Sequence, residues 1–151
     1  MKIVQKWWRI IFPIVVAIII WCFSSQNAEI SDQQSLFFAQ LFGIENVLAR
    51  KLAHVFLFSL LGYSTTSFFK GLEPYAFPTH SLALYPIIVV TVYSAIDEVH
   101  QVTVLGRSGE IGDVILDTVA GLCGVLCYIA IFCFWRRWRI RRAYERSVSV
   151  Q

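Results

Sequence analysis

Four apolar stretches, each near the length of a membrane-crossing helix, constrain this 151-residue chain more than any other feature. A helix needs roughly 20 mostly apolar residues to cross the hydrocarbon core of a bilayer. Residues 7–23, 52–69, 82–96 and 111–135 approach or exceed that, and the third extends as a helix over about 81–100. The pattern predicts an all-α, integral membrane four-helix bundle, one transmembrane domain over residues 1–151 with a basic tail at 136–151. Composition agrees: 15% of residues are charged, against about 25% in soluble domains. The length leaves no room for a second soluble domain.

Details of the runs refine this. Ser59, Ser64, Thr65, Thr66 and Ser67 soften the second, which with the third suits helices that face protein as well as lipid. Pro13 and Pro86 should bend the first and third. The first run follows Lys2, Lys6 and Arg9, as a signal peptide would. It has no small-x-small cleavage site after Trp21, and the bulky Trp21 precedes Cys22, so a retained span is expected.

Charge sets the orientation. Lys2, Lys6, Arg9, Lys70, Arg136, Arg137, Arg139, Arg141, Arg142 and Arg146 fall on one side of a four-span topology. Arg50, Lys51 and Arg107 fall on the other. Positive charge marks the cytoplasmic face. Both termini and residues 70–80, with His80 as an ordinary loop residue, are therefore expected in the cytoplasm, and residues 24–51 and 98–112 outside. Trp135 and Trp138 with their arginines read as an interface anchor and amphipathic tail contacting membrane lipids. Because those arginines abut the membrane, the sequence points to no nucleic-acid partner.

The same topology gathers ionisable residues at one depth. Arg50, Lys51 and His54 open the second span, Asp97, Glu98, His100 and Gln101 close the third, and Asp113 and Asp117 open the fourth. Charge at membrane depth is costly and usually functional. Adjacent Asp97 and Glu98 could separate in pKa into a base and an acid. Arg107, in the two-glycine turn 105–109, offers a guanidinium to phosphate or carboxylate; Ser108 could simply cap the next helix. Arg50 and Lys51 could equally be snorkelling cations. Asp113 and Asp117, four apart, share a helix face and repel unless a cation joins them: Lys51, His54, Arg107 or a divalent metal as cofactor. The candidate catalytic set is thus His54, Asp97, Glu98, His100, Asp113 and Asp117, with Arg50, Lys51, Gln101 and Arg107 binding substrate. Glu29, Asp32 and Glu45 belong to a water-exposed loop. Cys22, Cys123, Cys127 and Cys133 read as free thiols packed as small hydrophobes.

Phe23-Ser24-Ser25-Gln26, Lys51-Leu52-Ala53-His54, Asp97-Glu98-Val99-His100-Gln101, Gly106-Arg107-Ser108 and Asp117-Thr118-Val119-Ala120-Gly121 together resemble the VanZ-like family over nearly the whole chain. The resemblance implies a small multi-pass protein of the bacterial cell membrane, with resistance to the glycopeptide teicoplanin as the associated phenotype. Three functions fit. One is an envelope hydrolase or transferase acting on a lipid-linked cell-wall precursor. The second is a non-catalytic accessory protein that binds such a headgroup. The third is a transporter, which would need an oligomer to complete a path.

Overall fold

The computed structural model describes residues 2–72 and 81–148. His80 lies outside them. The described residues form five helices and no strand: α1 (Lys2–Ser24), α2 (Ala28–Phe42), α3 (Asn46–Leu72), α4 (Ser81–Val102) and α5 (Ile111–Val148). Four of these, α1, α3, α4 and α5, are long and apolar enough to cross a membrane. The all-α membrane bundle expected from the apolar runs is what the chain forms.

The sequence reading missed α2. Its 15 residues make about 22 Å of helix, short of the roughly 30 Å hydrocarbon core. Its ends are nonetheless marked. Asn27 caps the N-terminus, its Oδ1 accepting the Ile30 N–H at 2.9 Å. Gly43 terminates the helix in the left-handed region, φ 65°, which suits a residue without Cβ. Ser31, Ser35 and Ala39, at i, i+4 and i+8, are buried, while Ile30, Phe37 and Leu41 on the far face are exposed. Segment 24–51 is therefore not an open loop: α2 lies against α3.

The core gathers Val16 and Ile20 of α1, Phe58 and Leu61 of α3, Val90 of α4 and Ala120 of α5. Small residues set how closely the helices approach. A methyl group on Gly124 would sit 1.8 Å from the Ser59 carbonyl oxygen, and one on Gly62 would sit 2.1 Å from that of Gly121. The α3 and α5 backbones thus touch directly. Ser59 Oγ adds a bond to the Ala120 carbonyl at 2.9 Å. Tyr93 Oη ties α4 to α1 through the Ala17 carbonyl at 2.6 Å.

α5 carries the fourth apolar run on through the basic tail to Val148, and residues 136–146 are exposed. Arg142 stacks 4.0 Å from the Trp138 ring centroid. The four cysteines are free, as expected, but exposed rather than packed.

Candidate functional site

α3 and α5 run parallel, and both begin at the end of the bundle where α4 finishes. Near that end they face each other through two pairs, one Lys–Asp and one His–Asp. At the mouth, Lys51 Nζ meets Asp113 Oδ1 at 2.8 Å and Glu110 Oε2 at 4.0 Å. One turn deeper, His54 Nδ1 lies 3.4 Å from Asp117 Oδ2. Asp117 is 2% exposed, and its Oδ1 is buried with no partner among the described residues. The helical spacing explains the pairing: 51 and 54 share a face, as do 113 and 117. Of the counterions open to the two aspartates, the structure supplies Lys51 and His54.

A second network enters from α4. Buried Asp97 accepts from Ser24 Oγ at 2.8 Å and from Gln101 Nε2 at 2.9 Å, both on Oδ2. Gln101 Oε1 accepts from Arg107 Nη1 at 3.1 Å, and Arg107 Nη2 donates to Ser31 Oγ at 2.7 Å. The chain of bonds thus joins α1, α4, the 103–110 loop and α2, and it fixes the guanidinium. Arg107 is half-buried, its two partners are neutral, and its buried Nε has no partner among the described residues. Burial foremost, with the nearby Arg50 charge, lowers its pKa from the ordinary value. Arginine still keeps its charge at any physiological pH.

The loop that presents Arg107 turns at Gly106, φ 78°, a left-handed position that glycine takes without a Cβ penalty. Ala28 N–H bonds the Leu105 carbonyl at 3.2 Å and so pins the loop to α2. Two backbone N–H groups of this loop are engaged by the protein itself. The Arg107 N–H bonds the Val104 carbonyl, and the Glu110 N–H bonds Glu98 Oε1.

These elements enclose a polar cavity of about 200 Å³. Arg50, Lys51, His54, Gln101, Arg107, Asp113 and Asp117 line it, with Ser108 and Glu110 beside them. Asp97, Glu98 and His100 do not. Adjacent helical residues diverge by about 100°, so Asp97 and Glu98 turn to different partners. Asp97 faces Ser24 and Glu98 faces the loop. His100 stacks on Trp21 at 4.0 Å between centroids and lies 3.0 Å from Ser25 Oγ through Nε2. At the cavity itself, His54 and Asp117 form a histidine–carboxylate pair.

Three contributors were missed in the sequence. Glu110 sits at the mouth, Ser31 receives Arg107, and Asp32 pairs with Arg50 at 3.3 Å. The last two belong to the unforeseen α2. Among the described residues no three His, Cys, Asp or Glu side chains are grouped to hold a metal, and Asp113 and Asp117, the metal candidates, carry Lys51 and His54 instead.

No curated protein and no solved structure gives a significant match to the chain. A family model does: VanZ/LLP1 matches residues 9–135. That span holds the apolar cores of all four long helices, α2 and the loop with Arg107. Match and architecture together make this a multi-pass membrane protein that belongs to the VanZ/LLP1 family.

Proposed function

We propose that the polar cavity opens outward and binds the anionic headgroup of an envelope lipid or lipid-linked cell-wall precursor, and that this binding underlies glycopeptide (teicoplanin) tolerance. One observation carries the reading. Arg50 and Lys51 already pair with carboxylates, whereas among the described residues Arg107 has only neutral hydrogen-bond partners and a spare buried N–H, the Asp97, Asp32 and Glu98 charges acting on it from beyond contact. A half-buried cation of this kind gains most from an incoming anion, because charge-assisted bonds strengthen away from water. The ten-to-three asymmetry of basic residues supports the outward orientation, which turns the cavity toward envelope lipids rather than cytoplasmic anions.

The test is retention of anionic against zwitterionic lipid by native mass spectrometry. Arg107→Gln is expected to lower anionic retention by about tenfold or more, since a hydrogen bond to a charged group is worth about 1.5–3 kcal/mol. Unchanged retention refutes the reading. Full teicoplanin tolerance in Arg107→Gln, at matched expression in a host where the parent protects, breaks the link to the phenotype.

A second reading adds chemistry at the same place. His54 and Asp117 meet at 3.4 Å on the cavity wall, and such a pair can serve hydrolysis or group transfer as a general base. Under it, Asp117→Asn keeps the ligand and stops turnover; under recognition alone, no product forms with either protein.

A further inference from the structure

The polar cavity has an apolar neighbour. A groove of about 220 Å³ lies between α2 and α3, and Arg50, His54 and Arg107 line both spaces, so the two meet at the same three side chains. Small residues, Ala49 and Ala53, hollow its α3 wall. The hydroxyls of its α2 wall are already engaged. Ser31 Oγ accepts from Arg107 Nη2, and Ser35 Oγ donates to the Ser31 carbonyl at 2.7 Å. Gln26 and Gln34 also line the groove, and most of the surface left for an occupant is hydrocarbon. Phe23 and Phe56, 48% and 67% exposed, flank it from the spanning segments of α1 and α3.

We infer that the ligand is an amphiphile whose hydrocarbon chain lies in this groove while its anionic headgroup reaches the cavity past Arg107, entering sideways from the membrane between α2 and α3. The inference rests on the headgroup reading above and adds to it the seat of the hydrocarbon chain and the route of entry, features that a water-soluble anion would not need. The groove is apolar where it borders the spans and turns cationic where it meets the cavity, which matches the order of parts in an anionic lipid.

The experiment compares oleoyl-lysophosphatidic acid with glycerol phosphate, which share a headgroup and differ in the chain. Both are measured on the full chain in zwitterionic nanodiscs, for the parent, Ala53→Trp and Arg107→Gln. The indole is chosen to fill the groove. It is expected to weaken lysolipid binding by about tenfold or more and to leave glycerol phosphate binding unchanged. Arg107→Gln is expected to weaken both. Partition into the disc raises the lysolipid concentration alike for parent and variant, so their ratio is the readout. Photocrosslinking covers the case in which Ala53→Trp fails to fold. A lysolipid with a chain-terminal diazirine, bound to the parent, is expected to label Ser35, Ala53 or Phe56. Labels confined to the lipid-facing residues of α1 and α4 overturn the groove. If both probes bind the parent and Ala53→Trp alters neither, the groove is overturned and the headgroup site stands. If neither probe binds the parent, both readings fall.

Discussion

The same two helices behave oppositely over a few turns. Around Ser59, Gly62, Gly121 and Gly124, α3 and α5 touch backbone to backbone. Around Lys51, His54, Asp113 and Asp117 they are bridged by long ionisable side chains, and a cavity opens between them. The gradient in side-chain size accounts for the difference. Small residues bring the helices together at depth, and charged residues hold them apart at the end. The cavity is thus a consequence of the packing seam below it: a tight contact sets the angle, and the polar pairs occupy the splay.

The largest effect should come from breaking the seam. Gly124→Leu would drive a side chain into the Ser59 carbonyl, and Gly62→Leu into that of Gly121. Neither obstacle is a flexible side chain that can rotate away. Overpacking typically costs about 1–3 kcal/mol and more against backbone, so both variants should lose thermal stability in detergent and elute as aggregates. Gly112→Leu is the control, because open space surrounds that position. If Gly124→Leu unfolds at the parent's midpoint, the seam does not set the helix geometry.

An intermediate effect is expected at the deep pair. Asp117→Ala removes the partner of His54, whose side chain is 19% exposed, and stranding a buried polar group costs about 1–3 kcal/mol. Asp117→Asn keeps the shape and a hydrogen-bond acceptor, so it should recover most of that loss. Chemical denaturation of the two variants separates the contributions. Equal destabilisation by both would assign the cost to the lost carboxylate charge rather than to the lost hydrogen bond.

The seam and the pairs were legible to different degrees. The four spans and the depth of their ionisable residues followed from hydropathy and helix direction. Ala120, Gly121 and Gly124 stand as small residues in the fourth run, but nothing in the sequence says that they meet Ser59 and Gly62 on α3. A sequence gives one helix face at a time and not the face it meets. The same limit hid which way Asp97, Glu98 and His100 turn. Only Gln101, four residues from Asp97 and on its face, reaches Arg107. The short α2 escaped because its exposed apolar residues mix with Gln33, Gln34 and Gln40, and no run reaches span length. Its usable signal was the pair of ends, Asn27 and Gly43, with Ser31, Ser35 and Ala39 between them at helical spacing.

The smallest effect belongs to the mouth. Lys51 and Asp113 form the shorter ion pair, 2.8 Å against 3.4 Å for His54–Asp117. Distance alone would make it the stronger. Exposure reverses the order: their side chains are 41% and 31% accessible, and water screens what burial would strengthen. Exposed pairs contribute about 0.2–1 kcal/mol. A double-mutant cycle of Lys51→Met with Asp113→Asn should therefore return a coupling below about 1 kcal/mol and shrink further in high salt. A coupling of several kcal/mol would place the clamp between α3 and α5 at the mouth. The cavity would then owe its shape to the ion pairs and not to the glycine contact beneath them.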